Sequence, residues 1–277
     1  MQSRAGKLKP PSRLLLAREA VALAELGAYF AAAPWWRLTS RGDGHPVLVL
    51  PGLAQSDLST RPMRSFLAHR GYAACPWGLG FNSGSSRLLD EHLLARLHAL
   101  HEKHGRKVSI VGWSMGGLFA RALARRAPAA VRQVITLGSP FTGDAKASNA
   151  WRLYEAMSGD RAGDPEIAKR FQAQLSVPTT SIYSRRDGIV AWQCCLNEPG
   201  PWAENIEVTS SHFGLGHHPA VLYAVADRLA QPEGDWRAFE PKNRVRWLYP
   251  IRDATGSAHH SKPPRSRSMT RPGVQST

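Results

Sequence analysis

Ser114 stands in Gly112-Trp113-Ser114-Met115-Gly116, after the apolar run Val108-Ser109-Ile110-Val111 and before Leu118, Phe119, Ala122 and Leu123 at helical spacing. A serine held on a sharp strand-to-helix turn must adopt a strained backbone, and such a turn tolerates only small side chains two residues to either side. Gly112 and Gly116 meet that demand, so the stretch reads as a nucleophile elbow. The helix that follows points its free N-terminal amides at the serine. A serine hydroxyl is a weak nucleophile at neutral pH. It needs a base within hydrogen-bond reach and an acid that fixes the tautomer of that base.

Eleven histidines compete for the base. His45 precedes the first core strand, His69 falls in a helix, and His259 and His260 lie near the C-terminal end, so none sits at a strand end after the elbow. His98, His101 and His104 share a helix, and His101-Glu102-Lys103-His104 is one residue short of the zinc-binding H-E-x-x-H spacing, so a solvated helix face is the reading there. His212, His217 and His218 all lie beyond the last expected strand. Asp187, after an expected strand over 179–183 and before Gly188, suits an exposed carboxylate at a strand end. Asp144 is the alternative acid, against an ordinary helix N-cap after Gly143.

The elements that must position these groups follow one rhythm. Val47-Leu48-Val49-Leu50 is a short continuous apolar run of the kind that fills a buried parallel strand, ended by Pro51-Gly52. A helix over 60–71 with Thr60 as N-cap, a strand over 72–77, a glycine-rich loop over 78–86 and an amphipathic helix over 88–103 lead to the elbow. Further strands are expected over 131–137, 179–183 and 205–208, and a helix opens at Pro219. Strands alternating with helices predict an α/β fold, a mostly parallel sheet with helices on both faces and ligand chemistry at the carboxyl ends of the strands. The segment 141–177 is too long for a simple connection and carries Trp151, Tyr154, Met157 and Phe171, which predicts a short helical cap over the site.

Composition restricts the function classes. The net charge of +15 suggests a nucleic-acid binder until it is located: residues 1–18 carry five Lys/Arg and no acid, and residues 241–277 carry eight against Asp253 alone. The part between is nearly neutral, and no recognised nucleic-acid motif accompanies the basic ends, so no specific nucleic-acid partner is expected. The Pro/Ser/Arg-rich end reads as disordered. Residues 14–33 are apolar but interrupted by Arg18, Glu19 and Glu25, which predicts an amphipathic helix packed on the body rather than a membrane span. Trp35, Trp36 and the basic start leave peripheral membrane contact, through this helix or the basic tails, as the alternative. Three cysteines, Cys75, Cys194 and Cys195, do not make a disulfide framework and fit a reducing, cytoplasmic compartment. The expected organisation is a basic segment and helix over 1–40, a catalytic domain over 41–240 with its cap at 141–177, and a tail over 241–277.

The order of Pro51-Gly52-Leu53 after the first strand, the elbow, Leu137-Gly138-Ser139-Pro140, Ser184-Arg185-Arg186-Asp187-Gly188-Ile189-Val190 and Ser211-His212-Phe213-Gly214-Leu215 resembles the α/β-hydrolase fold over residues 45–230, closest to its small bacterial lipases and esterases. The resemblance implies the chain order Ser, Asp, His, which Ser114, Asp187 and His212 obey, with His217 the alternative base. This chain has Pro51-Gly52 where many lipases carry His-Gly, and it lacks an HGGG-type oxyanion motif. The oxyanion hole is therefore expected from the backbone amides of Leu53 and Met115. Trp77, Leu79, Phe81, Phe141 and Trp151 are the expected walls of an apolar acyl pocket. The implied activity is cleavage of a small-molecule carboxylic ester through an acyl-enzyme on Ser114, with no metal ion or organic cofactor. A thioesterase or acyltransferase would use the same machinery, and a non-catalytic scaffold with basic tails is the remaining class.

Overall fold

The computed structural model describes residues 8–88, 92–172, 174–252 and 258–259. After helices α1 (Arg13–Ala17) and α2 (Ala22–Ala32) the chain enters β1 (Pro46–Leu50), then α3 (Arg61–His69), β2 (Ala73–Pro76), the single turn α4 (Ser86–Leu88), α5 (Leu94–His104), β3 (Val108–Trp113) and α6 (Met115–Arg126). It continues through β4 (Val131–Leu137), α7 (Trp151–Ser158), α8 (Pro165–Gln172), β5 (Thr179–Ser184), β6 (Ala203–Val208) and α9 (Pro219–Leu229). The six strands form one parallel sheet in the order β2-β1-β3-β4-β5-β6. Strand order reverses between β1 and β3, so their carboxyl ends flank the crevice where such sheets bind ligands.

Alternation along the strands divides the core. Val47 and Val49 turn to one face with Tyr29, Met63, Phe66 and the inner side of α9. Leu48 and Leu50 turn to the other with Leu97, Phe119 and Phe171. Both faces are buried, which is why β1 reads as an unbroken apolar run.

Two expectations change. Thr60 does not cap α3 with its side chain; its hydroxyl donates to the Asp57 carbonyl instead. The tail expected from residue 241 begins later, because Tyr249 is buried and donates its hydroxyl to the Ala220 carbonyl at 2.7 Å, with Val245 and Leu248 packed beside it. Apolar side chains spaced among the basic residues of 242–249 pay for that docking. The remainder expected to be disordered lies largely outside the described residues. At the other end α2 packs on the body through Tyr29, whose hydroxyl donates to the Pro62 carbonyl at 3.0 Å. No helix among the described residues is long and apolar enough to cross a membrane.

Candidate active site

Ser114 links the end of β3 to the start of α6 with φ 52° and ψ −119°. A non-glycine residue in that region is strained, and it persists only where its surroundings over-determine it. The surroundings here are glycine backbone. A Cβ at Gly112 would lie 2.4 Å from the Gly116 carbonyl oxygen, and one at Gly116 would lie 2.5 Å from the Leu50 carbonyl oxygen. The Ser114 amide donates to the Leu137 carbonyl at 2.8 Å, pinning the turn to β4.

Beyond β5, the Asp187 carboxylate accepts at Oδ1 from the amides of Ile189 (2.8 Å) and Val190 (2.7 Å). Its Oδ2 lies 2.6 Å from His212 Nδ1, and both residues are buried. Burial favours the neutral imidazole, but the charge of Asp187, its hydrogen bond and the nearby charge of Glu19 outweigh it and raise the His212 pKa. The His212 carbonyl accepts from the Trp113 indole at 3.1 Å, which ties the His212 loop to the residue before Ser114. Gly138 closes the arrangement: a Cβ there would lie 3.1 Å from Asp187 Oδ2 and 3.2 Å from His212 Nδ1.

The alternatives point elsewhere. His217 Nε2 lies 3.3 Å from the Ala22 carbonyl, and His218 caps α9 by accepting from the Ala220 amide. Asp144 accepts from the Lys146 amide in a turn on the cavity wall. A hydrogen-bonded Asp-His-Ser row exists at the amino ends of β1 and β3, where His45 Nδ1 meets Asp43 Oδ1 at 2.5 Å and His45 Nε2 meets Ser109 Oγ at 2.8 Å. Ser109 is fully buried and the row has no route to substrate; Arg106 and Arg132 anchor its aspartate. Burial lowers the His45 pKa despite that aspartate.

Leu53 and Met115 line one cavity of about 280 Å³ with Ser114. The loop carrying Leu53 is held by residues that sequence reading passed over. The Gly52 amide donates to Gln55 Oε1 at 3.2 Å, and buried Asn82 donates from Nδ2 to the Pro51 carbonyl at 2.8 Å. Asn82 also accepts from the Ala54 amide, at a residue whose φ is 59°. Of the five side chains named as pocket walls, Phe141 and Trp151 line the cavity, with Leu118, Tyr154, Phe171 and Val190. Trp77, Leu79 and Phe81 do not line it. Trp77 is fully buried with its indole donating to the Gly80 carbonyl, Leu79 packs on the core beneath, and Phe81 is 59% exposed. The reason is topological: β2 is an edge strand, whereas the helices inserted after β4 roof the site. The loop after β2 meets the site through Asn82 and Gly84 instead; a Cβ at Gly84 would lie 2.8 Å from Leu53 Cδ1.

A family model described as the alpha/beta hydrolase fold matches residues 45–176. This is an α/β-hydrolase-fold chain. Among solved structures, Aspergillus fumigatus lipase B is similar at 17% identity and TM-score 0.55, over 69% of this chain and 54% of the lipase. The chain thus spans about half the length of that relative. A Bacillus licheniformis lipase in mature form is similar at 19% identity and TM-score 0.46, covering 62% of this chain and 86% of its own. A hydrolase of the alpha/beta superfamily from Oenococcus oeni follows at 18% identity and TM-score 0.45, covering 66% and 90%. No curated protein matches the chain.

One further pair of groups in this hydrolase fold was missed by sequence reasoning. Glu19 Oε1 accepts from the amides of Gly188 (2.7 Å) and His212 (2.9 Å), and Oε2 from Phe213 (3.1 Å). Glu25 Oε1 accepts from the Ser211 amide at 3.0 Å, and its Oε2 from the Ser211 hydroxyl. The only signal in the sequence was two acids inside an otherwise apolar segment.

Proposed function

We propose that the chain is a serine hydrolase that cleaves carboxylic esters of short to medium acyl chains. The observation that carries the reading is the buried 2.6 Å Asp187–His212 pair, tied through the Trp113 indole to the residue before a strained Ser114. In this mechanism His212 takes the proton as Ser114 Oγ attacks the ester carbonyl, and Asp187 holds the Nδ1–H tautomer and stabilises the imidazolium. The tetrahedral oxyanion is received by the backbone amides of Leu53 and Met115, each such donor contributing about 3 kcal/mol. His212 returns the proton to the leaving alkoxide, leaving an acyl-Ser114. Water then repeats the sequence, with its proton passing to His212 and back to Ser114 as the acid departs. The acyl chain lies against Leu118, Phe141 and Phe171, and a cavity of about 280 Å³ favours a modest chain over a long one.

Fluorophosphonate labelling tests the reading. The wild-type chain labels at Ser114, and Ser114→Ala abolishes labelling and lowers esterase turnover by roughly six orders of magnitude, with an unchanged circular dichroism spectrum. Labelling that persists in the variant, or a wild-type chain inert to the probe, overturns the proposal.

A further inference from the structure

We infer that Glu19 and Glu25 are positioning residues, two carboxylates of the N-terminal segment that hold the Asp187 and His212 loops in register. The inference rests on the Ser114, His212 and Asp187 reading above. A buried carboxylate is costly unless its oxygens are satisfied. Glu19 meets that cost with three backbone donors taken from both loops, Gly188 on one and His212 and Phe213 on the other. One side chain therefore fixes the backbone of the proposed base and of the residue after the proposed acid. Glu25 grips the adjoining Ser211 through both oxygens. The two loops are shaped for this contact. A Cβ at Gly188 would lie 2.3 Å from the Leu15 carbonyl oxygen, and one at Gly214 would lie 2.0 Å from Glu25 Oε2. Asn149 Nδ2 adds a third tie, donating to the Pro11 and Gly188 carbonyls. The N-terminal segment is thus part of the site's framework, although it lies outside the span matched by the family model.

Glu19→Gln is nearly isosteric but turns an amide NH₂ toward a backbone donor, and it removes a negative charge near His212. In the full chain we expect the second-order rate of fluorophosphonate labelling to fall roughly tenfold or more, as for a small misplacement of reacting groups. The His212 imidazole pKa, followed by NMR, moves down, and the downfield Nδ1–H resonance weakens. Glu25→Gln, farther from the imidazole, slows labelling with a smaller pKa change. A purely structural role would lower the melting temperature and leave the His212 titration where it is. Wild-type titration and labelling in Glu19→Gln overturn the inference. The NMR arm decides it even if Ser114 is not labelled in the wild type, a result that would sink the functional reading alone.

The outer face of the same segment carries a second, independent inference: we propose that it docks on an anionic lipid surface. Between residues 8 and 41 the only acids are Glu19 and Glu25, and both are buried. Every charge on the outside is a cation, Lys9, Arg13, Arg18, Arg37 and Arg41. Among them stand Leu14, Leu23 (79% exposed), Phe30 (65%) and Trp35 (65%). Leu23 and Phe30 are seven residues apart on α2 and share one side of it. Cations interspersed with exposed apolar side chains, including a tryptophan, suit the headgroup boundary of an anionic leaflet. Cosedimentation with phosphatidylcholine vesicles, with and without phosphatidylglycerol, tests this. Binding is expected only with phosphatidylglycerol, weakened by salt and reduced roughly tenfold or more in the triple variant L23S/F30S/W35S. Absence of binding, or binding unaffected by the triple variant and so due to another part of the chain, overturns it.

Discussion

Gly138→Ala puts the geometry of the proposed site under direct strain. Gly138 has φ 56°, and its added methyl would lie 2.6 Å from Leu215 Cδ1, 3.1 Å from Asp187 Oδ2 and 3.2 Å from His212 Nδ1. The left-handed conformation costs an alanine about 1 kcal/mol relative to glycine, and forcing a methyl into a packed core costs about 1–3 kcal/mol. Together these place the loss near 3 kcal/mol, which for a domain of this size lowers the melting temperature by roughly 6–12 °C. The larger effect is on turnover. Leu215 and His212 share one loop, so relief of the clash moves the imidazole, and a displacement of about 1 Å costs roughly a hundredfold in rate. Melting by circular dichroism and kcat/KM on a soluble chromogenic ester measure the two effects separately. A variant that melts and turns over like the wild type would refute the claim that Gly138 provides the space in which Asp187 and His212 meet.

The pH dependence has a definite sign. The proposed base must be neutral to accept the Ser114 proton, and His212 has a raised pKa, so kcat/KM should fall on the acid side through an apparent pKa above the ordinary histidine value of about 6.5. An acid limb below that value would contradict the Asp187 and Glu19 contributions. Because the folded-state pKa is the higher one, the stability contributed by His212 is fully present below the unfolded pKa and is lost as pH rises through the folded pKa. Activity and this part of stability therefore change in opposite directions across the same window, which paired rate and melting profiles would show. Ser109→Ala should leave the buried His45 Nε2 without its 2.8 Å partner and cost about 1–2 kcal/mol of stability while esterase activity stays within about twofold; loss of fluorophosphonate labelling in that variant would mean the wrong Asp-His-Ser row was chosen.

What the sequence determined by itself is local and periodic. A continuous apolar run marked β1, and the glycines two residues to either side of Ser114 announced its strained turn, because each signal depends on neighbours within a few positions. The choice between His212 and His217 was not local. His212 is favoured as the proposed base because its imidazole meets Asp187 beyond β5 whereas that of His217 meets the Ala22 carbonyl, a matter of how α9 and α2 pack. Glu19 and Glu25 read only as interruptions of an apolar helix, because their donors lie far along the chain, Gly188 at a separation of 169 residues and Ser211 at 186. Trp77 and Phe81 read as pocket walls since aromatics near a site often are, but an edge strand carries their loop and the pocket formed under helices inserted after β4. Asp43-His45-Ser109 and Ser114-His212-Asp187 use the same three residue types. Burial separates their serines: Ser109 is fully buried near the amino ends of the strands, whereas Ser114 lines a cavity at the carboxyl ends, and burial is a property of the assembled layers.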